Sequence, residues 1–182
     1  NRGAENFQES FTVNLRAGNN LLLVKVSQSG GGWSMFIGIA ATFDAAGKHY
    51  EFQLIDVTIP DPNLEALIRE YIKKPTGPIT NLDLQIITSL EGWGRGIADL
   101  TGLEYATNLN GLQLGENRIV NLSPLSVLPK LTFLYFWNNR VSDLSPLRGM
   151  VSLTDLSFGY NQVTDLSPLE GLSNLQNLEI TH

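Results

Sequence analysis

Acidic side chains recur in the second half of the chain at a spacing that raises the question of metal binding. Asp99, Asp143 and Asp165 stand at multiples of 22 residues from one another, and Asn121 fills the remaining place. A calcium site needs six to eight oxygen ligands around one ion, whereas this spacing supplies one side chain per 22 residues. Each of these residues also precedes a turn whose backbone N–H groups need an acceptor. The pattern therefore predicts turn caps, and we expect neither a metal site nor a cofactor.

Other residue types that carry catalysis are scarce. The chain has no cysteine and only two histidines, His49 and His182. Thiolate chemistry and most histidine-based sets are therefore excluded. Glu65 and Glu70 are the nearest carboxylates to a glycosidase pair, but the pattern around them predicts a helix packed against the rest of the fold. A run of three glycines occupies 30–32. It predicts no phosphate loop, because a strand pattern rather than a helix pattern follows it. We expect no catalytic residue and no enzyme.

The charge balance limits the partners. The 182 residues include 18 acidic and 12 basic side chains, giving a net charge of −6. This balance argues against nucleic acid or an anionic membrane surface as the main partner. The longest apolar runs, such as 21–24, are far too short to cross a bilayer. We expect no nucleic-acid partner and no transmembrane segment.

Self-similarity with a constant period is the strongest pattern in the chain. Three segments begin at Leu109, Leu131 and Leu153, which are 22 residues apart. Each has leucine at its first and fourth positions, leucine or phenylalanine at its sixth and asparagine at its ninth. A further copy begins at Leu175. A fixed period in this range predicts a solenoid whose units bury their apolar edges against one another. Within each unit the first, fourth and sixth positions are predicted to face the core, since strand residues alternate sides.

Two polar features are predicted to shape the turns of each unit. Asn117, Asn139 and Asn161 stand where each strand ends, and their amides are expected to bond to the backbone of their own unit and of the next. Arg95 occupies the equivalent place one unit earlier, so the ladder is expected to start at Asn117. The Ser-Pro-Leu triplets that begin at 123, 145 and 167 predict short 3₁₀ turns.

The repeats 109–130, 131–152 and 153–174 resemble the bacterial internalin-like class of leucine-rich repeat. The segment from Ile59 to Tyr105 resembles the cap and first repeat of that class, so the resemblance covers roughly 59–182. It implies an α+β repeat fold, a leucine-rich-repeat solenoid with parallel strands on the concave face, 3₁₀ turns on the convex side and an N-terminal helical cap. It also implies a surface that binds a partner, although one fold carries many partners.

Two short helices are predicted before the repeats. Asp61 with Pro62 marks the start of the first, and Thr80 with Asp83 resembles a capping box that starts the second, running through Ile87. These patterns divide the second half into a linker and helical cap, 57–90, and leucine-rich repeats, 91–182. Because the chain ends inside a repeat strand, the C-terminal cap is expected to be missing and the sequence to be part of a longer protein.

The N-terminal part, 1–56, has a period of two rather than 22. Alternation predicts four strands of an antiparallel sheet, at 11–15, 21–26, 33–39 and 50–54. The stretch from Phe11 to Trp33 resembles the C-terminal half of a jelly-roll, carbohydrate-binding-type β-sandwich. This sandwich is expected to be incomplete in these residues, because four strands leave one face uncovered. Trp33 would suit sugar stacking, but its alternation with Met35 and Ile37 favours a place in the core.

Aromatic residues are the main candidates for partner contact. In the solenoid register Phe133, Tyr135 and Trp137 project outward from one strand, with Trp93 and Tyr160 flanking them. Large aromatic side chains on a surface commonly mark a binding patch. The alternative is that they pack on one another or on a neighbouring domain of the same polypeptide.

Acidic residues on the same face add a charge preference. Asp155 and Glu179 project outward from later strands, and with Glu116 they favour basic or neutral partners. The leading hypothesis is a non-enzymatic binding module of an extracellular or cell-surface bacterial protein that holds a protein or a glycan on its concave face. One alternative is a structural spacer or assembly element of an extracellular filament or surface layer, with self-association through the uncapped C-terminal repeat. Another is an accessory region of a secreted carbohydrate-active enzyme.

Overall fold

The structure, a computed structural model, describes residues 18–27, 34–43, 49–50 and 55–180. The chain forms two compact units, Asn1–Gln53 and Leu54–His182. In the first unit three strands form an antiparallel sheet of order β1-β2-β3. Strand β1 is Gly18–Ser27, β2 is Ser34–Phe43 and β3 is His49–Tyr50. The register pairs Gly18 with Phe43 and Ser27 with Ser34, so the first two strands align over their full length.

The predicted strand 21–26 lies within β1, and β2 contains most of the predicted strand 33–39. Strand β3 overlaps the start of the predicted strand 50–54. The first predicted strand, 11–15, lies outside the residues that the structure describes, as do Trp33 and the glycines 30–32.

Two helices precede the repeats in the second unit, and both begin at the predicted caps. Helix α1 is Pro62–Ile72 and α2 is Asn81–Gln85. Thr80 and Asp83 form the expected capping box, in which each side chain accepts from the backbone N–H of the other. The predicted extension of the second helix through Ile87 is wrong, because α2 ends at Gln85 and the side chain of Ile86 is 66% exposed.

The Asp61 carboxylate joins α1 to the first repeat. Its Oδ1 accepts from the N–H groups of Asn63 and Leu64 at 2.9 and 3.1 Å, which is an N-cap. Its Oδ2 accepts from the N–H groups of Ala98 and Asp99 at 2.7 and 3.1 Å. Burial raises the pKa of Asp61, but the four backbone donors outweigh burial and hold that pKa below its ordinary value.

The repeats form one parallel sheet of five strands in sequence order. Leucines stand in register along its centre, for example Leu112 beside Leu134 and Leu134 beside Leu156. The strands are β4 Ser89–Glu91, β5 Gly111–Gln113, β6 Phe133–Tyr135, β7 Asp155–Ser157 and β8 Asn177–Glu179. We call the units that begin with these strands the first to fifth coils, and count positions in each from Ile87, Leu109, Leu131, Leu153 and Leu175.

Short 3₁₀ helices close the other side of the solenoid. They are Leu103–Tyr105, Ser123–Leu125, Ser145–Leu147 and Ser167–Leu169. The prediction of parallel strands opposed by 3₁₀ turns at the Ser-Pro-Leu triplets is thus confirmed.

One continuous apolar core runs from the helices through the fourth coil. Leu64, Leu112 and Leu134 are fully buried in it. Phe136 and Phe158 replace leucine at the sixth position, and their rings stack with centroids 5.8 Å apart. Leu178 occupies the same position in the fifth coil as Leu112 and Leu134 do in theirs, but it is 45% exposed.

The asparagine ladder ties neighbouring coils together. Asn139 Oδ1 accepts from Ile119 N–H at 2.9 Å, and Asn139 Nδ2 donates to the carbonyls of Leu114 and Phe136 at 2.8 and 2.9 Å. Asn117 and Asn161 repeat this arrangement. The amides therefore reach their own coil and the preceding one. The expectation that they reach the next coil is wrong in direction, because the partners of Asn139 outside its own coil, Leu114 O and Ile119 N–H, belong to the preceding coil.

The recurring aspartates act in turns. Asp143 accepts from the N–H and the hydroxyl of Ser145, both at 2.7 Å, and Asp165 does the same with Ser167. These hydrogen bonds lower the pKa of both carboxyls. Their role as turn caps is confirmed by this geometry.

Candidate functional site

The turn after each strand has the same left-handed backbone in four consecutive coils. Position eight has a φ of 62° at Gly94, 57° at Glu116, 52° at Asn138 and 54° at Tyr160. Glycine and asparagine adopt this conformation readily, whereas an aromatic residue rarely does. The turn directs positions seven and eight to one edge of the strand face, which we call the turn edge.

Two tryptophans meet on this edge over a glycine. Trp93 and Trp137 both occupy position seven, in the first and third coils, and Gly115 occupies it in the coil between them. Their ring centroids are 5.3 Å apart with the planes inclined by 58°. A β carbon built on Gly115 would lie 2.7 Å from Trp137 Nε1 and 2.7 Å from Trp93 Cζ3. The missing side chain of Gly115 is therefore what lets the two indoles close on one another.

Tyr160 extends this contact into the fourth coil. Its ring lies 6.2 Å from that of Trp137, inclined by 62°, in an edge-to-face arrangement. The side chain of Trp93 is 43% exposed and that of Tyr160 is 55% exposed, with Trp137 half-buried between them. We call Trp93, Trp137 and Tyr160 the aromatic row. It spans four coils along the turn edge.

Phe133 and Tyr135 form a separate pair on the strand face. Their ring centroids are 5.8 Å apart, and both side chains are half-buried. Phe133 covers Gly111, because a β carbon built on that glycine would overlap the Phe133 ring. The sequence predicts three outward aromatic residues on one strand. The structure instead has two rings lying over the strand face, while Trp137 leaves its own strand and packs with neighbours in other coils.

The two acidic candidates lie apart from the aromatic row. Asp155 accepts from Thr154 Oγ1 and from Asn177 Nδ2, and these bonds lower the pKa of its carboxyl. Asp155 therefore takes part in a polar ladder between β7 and β8. Glu179 lies exposed at position five of the fifth coil. The structure thus brings Trp93, Trp137 and Tyr160 together and leaves Asp155 and Glu179 on later strands.

Several acidic side chains of residues 55–180 are engaged in local contacts rather than gathered around one point. Within this range no group of three or more His, Asp or Glu side chains is placed to hold a metal ion. Glu65 pairs with Arg69 and Glu70 pairs with Arg95, both across charged hydrogen bonds. The carboxylates of α1 are therefore held in ion pairs.

Gly111 and Gly115 are the residues whose importance sequence reasoning missed. Both stand at outward positions of the second coil, and both are buried under rings of other coils. The signal is present in the register, since glycine at positions three and seven faces an aromatic residue at the same positions one coil later. Small residues beside large ones in successive coils predict that the large side chains fold over the gap.

Comparison with known protein families is consistent with this geometry. A family model described as leucine-rich repeats in two copies matches residues 107–149. Internalin H of Listeria monocytogenes serovar 1/2a (strain ATCC BAA-679 / EGD-e) is 40% identical over 67 residues, which are 36% of this chain and 12% of that protein. The repeats are internalin-like leucine-rich repeats.

Solved structures give the same fold. The crystal structure of an internalin, inlF, from Listeria monocytogenes str. 4b F2365 aligns with a TM-score of 0.65 and 36% identity. The alignment covers 66% of this chain and 36% of that one. The chain therefore spans a small part of internalin H and about a third of inlF. Among the residues that the structure describes, no helix is long and apolar enough to cross a membrane.

Proposed function

We propose that the solenoid is a non-enzymatic module of a secreted or cell-surface bacterial protein, and that it binds a protein partner through the aromatic row. The internalin-like repeats support a protein-binding surface. The aromatic row gives that surface a location. Trp, Tyr and Arg are the residue types in which binding energy concentrates at protein interfaces.

The backbone of Tyr160 is the observation that carries this proposal. Tyr160 has a φ of 54°, and its side chain is more than half exposed. A left-handed conformation costs a residue with a β carbon about 1–2 kcal/mol, which glycine at the equivalent Gly94 avoids. Within the fold the Tyr160 ring has the edge-to-face contact with Trp137, while more than half of the side chain stays exposed. Contact with a partner gives this residue a role that the fold alone does not.

The geometry of the row favours a protein over a glycan. Trp93 and Tyr160 are inclined by 58° and 62° to Trp137, so the three rings present edges and faces at different angles rather than one flat platform. Stacking on a sugar ring uses an open, flat aromatic face, whereas an uneven aromatic surface suits the varied side chains of a protein. Because the rings also support one another, little side-chain entropy is lost when a partner binds.

The remaining parts of the chain are assigned within the same proposal. Helices α1 and α2 act as the N-terminal cap, since Leu64, Leu67 and Leu84 are fully buried in the core that the repeats share. The division into 1–56, 57–90 and 91–182, and a jelly-roll origin for the first of these, are parts of the proposal that rest on the sequence patterns. Phe133 and Tyr135 extend the contact surface onto the strand face, where Asp155 and Glu179 favour a basic or neutral part of the partner.

Assembly through the fifth coil is a second candidate function. Leu178 and Ile180 are exposed there, as is Leu166 on the preceding return segment. An apolar edge of this kind is where a further coil or a second copy of the chain would stack. Sedimentation of the chain over a range of concentrations would detect such association, and a single monomeric species throughout would exclude it.

Partner capture with matched variants tests the leading proposal. Immobilised wild-type chain, Tyr160→Gly and Val127→Ala would be exposed to the same membrane-protein and secreted-protein fractions, with a glycan array as a parallel arm. Val127 is 62% exposed near the convex turns and serves as the control. We expect a protein retained by the wild type and by Val127→Ala and lost with Tyr160→Gly. Retention by all three, or capture of array glycans in place of a protein, would contradict the proposal.

A further inference from the structure

Two arginines occupy the same place in consecutive coils, shortly after the turn residues that carry the aromatic row. Arg118 and Arg140 both stand at position ten, three residues after the position that Trp93 and Trp137 occupy. Arg118 N–H donates to Ile97 O at 2.8 Å and Arg140 N–H donates to Ile119 O at 2.9 Å, so their backbones are in register. Neighbouring strands of a sheet lie about 4.8 Å apart, so the two arginine side chains start from adjacent backbone positions.

Neither guanidinium has a partner within the described part of the chain. Both side chains are exposed and neither takes part in an ion pair, a side-chain hydrogen bond or a ring contact. By contrast, three other cationic side chains each form an ion pair with a carboxylate, namely Arg69, Lys74 and Arg95. The two arginines therefore contribute no ion pair to the stability of the described fold.

The acidic residues of the same turns are directed elsewhere. Glu116 extends over the preceding coil, because a β carbon built on Gly94 would lie 3.9 Å from Glu116 Oε2. Asp99 and Asp143 accept hydrogen bonds from Thr101 and Ser145 within their own turns. The arginine pair is thus a local concentration of positive charge in a chain whose net charge is −6.

We propose that Arg118 and Arg140 form a carboxylate-binding site that receives aspartate or glutamate side chains of the protein partner. A guanidinium presents a planar fork of donors that matches a carboxylate in two parallel hydrogen bonds. An interface that includes the aromatic row and this arginine pair would combine tryptophan, tyrosine and arginine, which is the composition of an interface centre. This inference rests on the proposed function and adds to it the charge of the part of the partner that meets the arginine pair.

A titration followed by NMR tests the site with probes of defined chemistry. The probes are two blocked peptides, acetyl-Gly-Glu-Gly-Glu-Gly-amide and its glutamine counterpart, added to the full chain labelled with ¹⁵N. The arginine Nε–Hε signals report carboxylate binding directly. Arg148, exposed at the end of a 3₁₀ helix on the opposite side, is the internal control. The indole Nε1–Hε1 signals of Trp93 and Trp137 report the aromatic row separately.

We expect the Nε–Hε signals of Arg118 and Arg140 to shift with the glutamate peptide and not with the glutamine peptide, while Arg148 stays in place. The double variant Arg118→Gln with Arg140→Gln should bind the glutamate peptide roughly three- to tenfold more weakly. Replacement of both by lysine should recover only part of this loss, because lysine keeps the charge without the fork. Equal shifts at Arg148, or none at the pair, would overturn the inference. A different result would contradict the proposed function, namely a captured protein that Tyr160→Gly retains as well as the wild type does.

Discussion

Trp93 and Trp137 are 44 residues apart and belong to coils that are not neighbours, yet their ring centroids lie 5.3 Å from each other. The coil between them contributes Gly115 at the same register position, and its missing side chain leaves the space that both indoles fill. The contact therefore depends on the 22-residue period, on the turn backbone and on one glycine. Together with the contact between Trp137 and Tyr160, it makes the aromatic row one packed surface rather than three separate rings.

Substitution of Gly115 by alanine should separate the two indoles. The added methyl group would lie 2.7 Å from atoms of both rings, and overpacking of this kind costs about 1–3 kcal/mol. We expect loss of the exciton signal between the tryptophans in circular dichroism, and a lower free energy of unfolding. Gly171→Ala is the matched control, since nothing lies within 4 Å of its added methyl group. An unchanged exciton signal in Gly115→Ala would show that the glycine does not hold the row together.

Two variants of Tyr160 separate backbone strain from loss of the ring. Both Tyr160→Gly and Tyr160→Ala remove the contact with Trp137, but only glycine relieves the left-handed φ of 54°. We therefore expect the glycine variant to be about 1 kcal/mol more stable than the alanine variant in urea unfolding. This order is opposite to that expected in ordinary helix or strand positions. An alanine variant that is equally or more stable would mean that Tyr160 carries no strain.

The asparagine ladder should be sensitive to the replacement of a single heavy atom. Asn139→Asp keeps the shape of the side chain but replaces the amide donor by an oxygen, which would face the carbonyls of Leu114 and Phe136. Because Asn139 is buried, we expect the free energy of unfolding to fall by about 3 kcal/mol or more at neutral pH. Asn138→Asp is the control, since the same change is made one residue earlier at an exposed site. Equal effects of the two variants would contradict the ladder's role.

Asp61 should give the unfolding of the repeat unit a specific pH dependence. Its folded-state pKa is lowered, so the unfolded chain binds protons at a higher pH than the folded chain does. The contribution of the carboxylate is therefore fully present above its ordinary pKa of 3.8 and is lost as the pH falls through the lower folded-state pKa.

Asp61→Asn should cost about 2 kcal/mol at neutral pH, because one amide oxygen replaces an anion that accepts four backbone N–H groups. The difference from the wild type should shrink as urea unfolding is repeated toward about pH 3. Asp56→Asn, at an exposed residue, should show no such convergence. A constant difference at every pH would mean that the charge of Asp61 does not stabilise the fold.

The sequence predicts much of this fold because equivalent positions in successive repeats have the same environment. Leu112, Leu134 and Leu156 occupy one register position, so a single assignment of the period places all three in the core. The caps at Asp61 and Thr80 are equally predictable, since each depends on contacts within three residues. The prediction for the end of the second helix is wrong because apolar side chains at helical spacing indicate a helix, whereas α2 ends one residue before Ile86.

The candidate site is less predictable because it depends on contacts between coils. Counting positions along one strand groups Trp137 with Phe133 and Tyr135. The structure groups it with Trp93 and Tyr160, since the turn at position eight carries position seven away from the strand face. Arg118 and Arg140 give no signal in the sequence because an exposed arginine is ordinary by itself. Their significance comes from their shared register and from the absence of a carboxylate partner in residues 55–180.

The most direct test of the central claim is the dissociation constant of a captured partner for Tyr160→Gly, measured by calorimetric titration beside the wild type and Val127→Ala. Tyr160→Gly removes an exposed ring of the row while relieving backbone strain, so a loss of affinity would not reflect a damaged fold. We expect binding roughly 30-fold weaker for Tyr160→Gly, the size of an interface hot spot, and unchanged binding for Val127→Ala. Wild-type affinity in Tyr160→Gly would contradict the proposed function.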